Sequence, residues 1–197
     1  MKLVFATNNL NKLSELQDLL PTYVELLSLK DIGCNQELLE TRKNLEGNAI
    51  QKAEFVFEHY GFNCFADDTG LEIEVLNNQP GVYSARYAGK SCNSEENMLK
   101  VLQKLNGESN RKAKFRTVMA LIIDGKRNLF EGECAGVITK EKKGEKGFGY
   151  DPIFLPNGFE QTFAQITKKE KGRISHRGKA TEKLIEFLRS FNCQKPF

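Results

Sequence analysis

Two aspartates stand side by side in Phe65-Ala66-Asp67-Asp68-Thr69-Gly70, with apolar residues at 64–66 before them and an apolar run at 71–76 after them. Burying an ionised carboxylate without a partner is costly, and two adjacent ones compound the cost. A hard divalent cation, which prefers oxygen ligands, neutralises such a pair. The pattern therefore predicts a metal-dependent acidic site at the end of a buried strand. An Asp-Thr-Gly turn is the competing reading for one aspartate alone. It accounts poorly for two.

Composition narrows the setting. The chain has 197 residues, 40% of them hydrophobic and 28% charged, which suits one soluble domain over residues 1–197 with a real core. A net charge of +3 is too small to argue for non-specific nucleic-acid binding or membrane attraction. Leu3-Val4-Phe5-Ala6 is too short for a signal-peptide core or a membrane span. The five cysteines (34, 64, 92, 134 and 193) form no Cys-x-x-Cys pair. Reduced, mostly buried thiols in a cytoplasmic protein are expected.

Periodicity supplies the elements. A short buried strand at 3–6 precedes a helix carrying Leu13, Leu16, Leu19 and Leu20, stopped by Pro21. A second strand is expected at 24–29. Leu45, Ala49, Ala53, Val56, Phe57 and Tyr60 form one apolar stripe, with Gly61 as its cap. Strands at 64–66 and 71–76 flank the acidic pair. Met98, Val101, Leu102 and Leu105 line a helix ending near Gly107. Strands at 115–123 and 129–138 pair through an Asp124-Gly125 turn. A final helix presents Ala180, Leu184, Ile185, Leu188 and Phe191. Alternating elements followed by consecutive strands indicate a mixed α/β (α+β) fold.

Several polar clusters surround this scaffold. Thr7, Asn8, Asn9, Leu10, Asn11 and Lys12 form a strand-to-helix loop, whose free N–H groups and helix dipole suit a phosphate. It lacks the Gly-Lys-Ser/Thr of a Walker A loop, and a helix cap by Asn9 or Asn11 explains it as well. Glu40 and Thr41 precede the long helix, on which Asn48 and Lys52 share one edge; a solvated charged face is the alternative. Glycines around Phe148 allow a planar ligand close approach, and Phe148 offers a stacking face. Lys171, Arg173, His176 and Arg177 form a dense donor set before the last helix. His59 reads as merely solvated.

Taken in order, Thr-Asn-Asn-x-x-Lys, Glu-Thr, Glu-Gly-Asn-Ala-x-x-Lys-Ala, Ala-Asp-Asp-Thr-Gly-Leu, Pro-Gly-Val-Tyr-Ser-Ala-Arg-Tyr-Ala-Gly, Gly-Phe-Gly-Tyr-Asp-Pro and Ser-His-Arg-Gly-Lys-Ala closely resemble the inosine/xanthosine triphosphate pyrophosphatase family. The likeness runs from Leu3 to about the last helix. It implies a long mixed sheet flanked by helices, two lobes with a substrate groove between them, a homodimer and a Mg²⁺ requirement. It implies house-cleaning hydrolysis of dITP, ITP and XTP to monophosphate and pyrophosphate by Mg²⁺-assisted water attack at the α-phosphorus. By resemblance, Thr7, Asn8, Asn9, Leu10, Asn11 and Lys12 hold phosphates, assisted by Lys52. Glu40 and Asp68 bind Mg²⁺, and Asp68 is the general base. Asp67 supports the acidic site and Thr69 contacts substrate. Phe148, Gly149, Tyr150 and Asp151 form the base pocket, and Lys171, His176 and Arg177 read the base. Arg86 is a further phosphate or structural candidate. The chain departs from the family pattern at Asn8 and Arg42, where many relatives carry Gly, and at Thr69, where many carry Ser.

Three rivals stand beside this reading. Asp68-Thr69-Gly70 matches the aspartic-protease triplet, but it occurs once and among strong helices. A pyrophosphatase for pyrimidine or methylated nucleotides is a second rival. A non-catalytic nucleotide sensor is the third, although pure binding does not require a carboxylate base.

Overall fold

The computed structural model describes residues 1–17 and 19–193, the last two by backbone alone. Its elements run β1 (Lys2–Phe5), α1 (Leu10–Gln17), β2 (Glu25–Leu27), α2 (Leu45–Tyr60), β3 (Cys64–Ile73), β4 (Gln79–Gly81), α3 (Ser94–Lys104), β5 (Lys112–Ile123), β6 (Lys126–Ile138), β7 (Phe154–Pro156), α4 (Lys168–Ile174) and α5 (His176–Cys193). The strands form one mixed sheet in the order β2-β1-β3-β5-β6-β7, with β4 on β3. The chain divides into two compact units, and β3, β5 and β6 each contribute to both.

The first unit comprises Met1–Asp68, Thr117–Gly132 and the chain from Arg177 onward. Here β1 lies parallel to both β2 and β3, with Val4 opposite Cys64 and Phe5 opposite Phe65. Such strands are covered on both faces and read as continuous apolar runs. Their side chains alternate. Val4, Ala6, Cys64 and Ala66 pack with Ala49, Ala53 and Val56 of α2. Leu3, Phe5 and Phe65 face the other way, onto Leu16 of α1 and Ala180, Leu184 and Leu188 of α5. The rings of Phe5 and Phe65 stack at 4.6 Å. Helix α2 is held as its stripe and cap predict. Asn44 accepts from the N–H of Gly47, and Gly61 closes the other end in the left-handed region at φ 70°.

The second unit comprises Thr69–Arg116 and Glu133–His176. Its core joins Leu71 and Ile73 of β3, Met98 and Val101 of α3, Phe115 of β5, and Phe154, Phe163 and Tyr150.

Several expectations need correcting. The two strands expected beside the acidic pair are one strand, β3, which runs through Asp67 and Asp68 and ends at Ile73. The pair therefore sits mid-strand, not at a strand end, and no Asp-Thr-Gly turn forms. Residues 74–76 make a 3-10 turn instead of more strand. Residues 19 and 20 lie outside helix α1, in a turn before Pro21, and β2 is only Glu25–Leu27. The donor-rich stretch before the last helix is itself helical. It forms α4, started by a reciprocal Thr167–Glu170 capping box. The short edge strand β7 has too few residues to show a period. The Asp124-Gly125 turn is as expected, with φ 48° and 73° at its two centres, the geometry that favours tight hairpins.

Of the four cysteines whose side chains are described, none forms a disulfide and all but Cys92 are buried. The side chain of Cys193 lies outside the described residues. No described helix is long and apolar enough to cross a membrane.

Gly136 faces Pro156 where β6 pairs with β7. A Cβ there would collide with the carbonyl of Leu155 and lie 2.7 Å from the ring of Phe154. Gly136→Ala is expected to cost about 1–3 kcal/mol by overpacking, read as a lower urea midpoint with unchanged helix content.

Candidate active site

Alternation along β3 decides the geometry of the acidic pair. Asp67 continues the face of Phe65, toward α1 and α5. Asp68 continues the face of Ala66, toward α2. The two carboxylates thus meet different partners.

Asp67 is fully buried. Its Oδ1 lies 2.8 Å from Lys12 Nζ on α1, and its Oδ2 accepts from Arg177 Nε at 3.1 Å. Arg177 also donates from Nη1 to Glu15 Oε2 at 2.6 Å. Burial pushes the Asp67 carboxyl up, but Lys12, Arg177 and Lys52 outweigh it and hold the group well below the usual carboxylate range. Burial lowers Lys12 despite the pull of Asp67. Arg177 is raised, because Asp67 and Glu15 overcome its burial.

Asp68 is 5% exposed. Its Oδ2 accepts from Asn48 Nδ2 at 2.9 Å. Burial raises this carboxyl. Lys52 opposes the rise, and the charge of Glu40 adds to it. Lys52 donates to Glu40 Oε1 at 2.5 Å and to the carbonyl of Asp67 at 2.7 Å. Burial alone would lower Lys52, yet Glu40, Asp68 and Asp67 raise it. One ammonium is therefore shared by two carboxylates on this face. Neighbouring carboxylates pushed in opposite directions are a recognised mark of divided roles.

The loop bearing Glu40 is fastened from α2. Asn48 accepts from the N–H of Arg42 at 2.8 Å, and Gln51 accepts from the N–H of Thr41 at 3.1 Å. In the loop after β1, Asn9 caps α1 by accepting from the N–H groups of Asn11 and Lys12, and Thr7 accepts from the N–H of Asn9. Asn8 reaches instead to residues 36 and 38. Leu10 is 79% exposed at the helix start.

The described residues hold no cluster of three or more carboxylate, histidine or cysteine ligands. Glu40 and Asp68 offer two hard oxygen donors. That set suits Mg²⁺, which keeps several waters and takes one or two carboxylates plus substrate phosphates. It does not suit zinc, which favours nitrogen and sulfur ligands.

A separate cluster lies in the second unit. Asp151 and Lys171 form a buried ion pair at 2.5 Å, and Asp151 also accepts from the N–H of Phe148 at 2.8 Å. Lys171 Nζ sits 4.7 Å from the centre of the Phe148 ring. His176 stacks on Phe115 at 4.5 Å. A Cβ at Gly147 would strike the Asp151 carboxylate, so the glycine is required there. Gly149 turns the chain at φ 62°. Tyr150 is buried, with its hydroxyl donating to the carbonyl of Ser84 at 2.7 Å; burial, then Tyr87, raises its pKa.

The structure thus joins Lys12 with Asp67 and Arg177, Lys52 with Glu40, and Phe148 with Asp151 and Lys171. It separates His176 from its neighbour in sequence, since Arg177 serves Asp67 in the first unit and His176 belongs to the second. Thr69 is half-buried on β3, and Arg86 lies over the ring of Tyr83. The sequence reading does not single out Glu15, Gln51, Phe115 or Phe163. Glu15 follows Lys12 by three residues on α1, and that spacing was its one visible signal.

The fold and this cluster define a mixed α/β protein with a buried acid–cation network on its central strand. The family model described as the Ham1 family matches residues 3–187, and the chain belongs to that family. It is 56% identical over 190 residues to a dITP/XTP pyrophosphatase of Flavobacterium psychrophilum, covering 96% of this chain and 100% of that one. The Staphylococcus aureus Ham1 protein structure matches with a TM-score of 0.88 at 37% identity, covering 97% and 100% of the two chains. A structure of a nucleoside-triphosphatase, dITP/XTP pyrophosphatase, from Mycobacterium abscessus matches at 0.76 and 40% identity, covering 94% and 99%.

Asp67→Asn leaves Lys12 and Arg177 without their shared carboxylate. It is expected to cost ~3 kcal/mol or more at neutral pH. The folded Asp67 ionises below its ordinary value of 3.8. Its stabilisation is therefore complete above that value and is withdrawn as pH falls beneath it. Urea midpoints should fall steeply for the wild type from about pH 4 downward, and less steeply for Asp67→Asn.

Proposed function

We propose that the protein is a nucleoside triphosphate pyrophosphatase that converts dITP, ITP and XTP to the monophosphate and pyrophosphate, cleansing the nucleotide pool. The observation that carries this reading is the division of the acidic pair. Asp67 is held ionised by Lys12 and Arg177, while Asp68 is raised and lies in the field of Glu40. The names of the curated relatives support the substrate class.

In this reading Asp68 takes the proton from the water that attacks the α-phosphorus. Lys12 and Lys52 meet the phosphate charge, and the loop of Thr7, Asn8, Asn9, Leu10 and Asn11 contacts the phosphates at the start of α1. Glu40 and Asp68 would hold Mg²⁺, which when bound supplies positive charge to the phosphate oxygens and the departing pyrophosphate. Asp67 keeps Lys12 in place. Thr69 contacts substrate.

Base selection is assigned to the second unit. Phe148, Gly149, Tyr150 and Asp151 shape the pocket. Asp151 fixes the Lys171 ammonium, and Lys171 and His176 present donors to the O6 acceptor of inosine or xanthine. The family likeness also assigns Arg177 to substrate, through a guanidinium tied to Asp67 and Glu15. Adenine, with a donor at N6, would leave these groups poorly paired, and a buried polar mismatch discriminates strongly. The continuity of β3, β5 and β6 through both units supports one catalytic domain. A cytoplasmic setting accords with described cysteines that form no disulfide, and a homodimer follows the family likeness; sedimentation of the purified chain tests the latter.

With Mg²⁺, dITP and XTP should yield monophosphate and pyrophosphate while ATP is largely spared, and EDTA should abolish turnover. Asp68→Asn should lower kcat by about 10²–10⁴-fold with an unchanged thermal midpoint. Orthophosphate and diphosphate as products, or full activity of the variant, would defeat the assignment.

A further inference from the structure

The chain from Gly33 to Asn44 contains neither helix nor strand, yet it carries Glu40. Such a segment has no ladder of its own, and its backbone groups are satisfied by groups that reach into it. Downstream of residue 39 the ties come from one edge of α2, through Lys52 to Glu40, Gln51 to Thr41 and Asn48 to Arg42. Upstream, besides the bond from the N–H of Cys34 to the carbonyl of Leu29 and the burial of Cys34 and Leu38, a side-chain tie comes from Asn8. Its Oδ1 accepts from the N–H of Leu38 at 3.2 Å, and its Nδ2 donates to the carbonyl of Gln36 at 3.3 Å.

The contrast with its neighbours is informative. Thr7 and Asn9 turn their oxygens back onto their own loop. Asn8 crosses 28 and 30 residues of sequence to satisfy one acceptor and one donor of the same strip. A carboxamide supplies both functions on one plane, and no other side chain of that length does. Leu38 is buried beside this tie, whereas Leu39 is 67% exposed. Glu40 thus hangs between a clamp two residues before it and the α2 edge at and after it.

We propose that Asn8 is a positioning residue. It ties the loop from Thr7 to Lys12 to the strip from Gln36 to Leu38 and so fixes Glu40 where a divalent ion is taken. The inference rests on the reading that Glu40 and Asp68 hold that ion. By linkage, ordering of either loop by its ligand favours the other.

Mn²⁺ titration followed by electron paramagnetic resonance, together with amide hydrogen exchange on the full chain, tests the clamp. Asn8→Ala should speed exchange at the Leu38 amide while leaving α2 and β3 protected. It should weaken Mn²⁺ binding about three- to tenfold, the loss expected of one or two exposed hydrogen bonds. In a Glu40→Gln background the same substitution should change Mn²⁺ binding little further, because Asn8 acts through Glu40. An equal loss in both backgrounds would make Asn8 a general structural residue and overturn the proposal, as would unchanged Leu38 exchange. Glu40→Gln binding Mn²⁺ as tightly as the wild type would also overturn it. Glu40-dependent Mn²⁺ binding with the Asn8 coupling, but without dITP turnover, would sustain the clamp while defeating the pyrophosphatase reading.

Discussion

A strand that crosses a protein core turns consecutive side chains to opposite faces, and β3 does so with two carboxylates. Were Asp67 and Asp68 on one face, their repulsion would have to be met within a single pocket. On opposite faces each is met by a different layer of helices. Lys12 of α1 and Arg177 of α5 close on Asp67, and Asn48 of α2 closes on Asp68. Three helices from distant parts of the sequence are thereby keyed to one pair of residues. Their apolar stripes supply most of the burial, and the polar contacts fix which turn of each helix meets the strand.

The charge on the two faces differs. On the α1 and α5 face, Lys12 and Arg177 stand against Asp67 and Glu15. On the α2 face Lys52 is shared between Glu40 and Asp68, and the excess of negative charge there is where a divalent cation would be drawn. Removing one partner from a buried network is costly because it strands a charge. The network therefore resists change on the first face, while the second has capacity for a further cation. Local electrostatics thus holds Asp67 ionised and raises Asp68.

What the sequence makes legible follows the range of the forces involved. Helix α2 is visible from its stripe and Gly61, and the β5–β6 hairpin from Asp124-Gly125, because both depend on neighbours in the chain. The continuity of β3 is hidden because Asp-Thr-Gly favours a turn locally. It is kept extended by pairing with strands distant in sequence, and the groups that meet Asp67 lie 55 and 110 residues away, at Lys12 and Arg177. Lys12, Glu40, Lys52 and Asp68 stand out as candidates, yet which of them pair cannot be read from spacing. Glu15 and Gln51 look like ordinary solvated helix positions until the fold presents them to Arg177 and Thr41. His59 is exposed, as its place near a helix end suggests, and stacks on Phe55. Helix α4 is the instructive miss, since Thr167-x-x-Glu170 is a local capping signal hidden in a run of charges.

The second unit poses a different energetic question. Asp151 and Lys171 form an ion pair buried among Phe148, Phe163 and their neighbours. Two apolar residues of similar volume would serve stability at least as well, since desolvation offsets much of the attraction. The pair does something an apolar core cannot. It holds an ammonium in one orientation beside an aromatic face, with Asp151 itself fixed by the N–H of Phe148 and by the absence of a side chain at Gly147. A donor fixed in this way loses little freedom on meeting a carbonyl acceptor and has no acceptor to offer an amino group. On the reading proposed above, that asymmetry would favour the O6 of a purine over its N6.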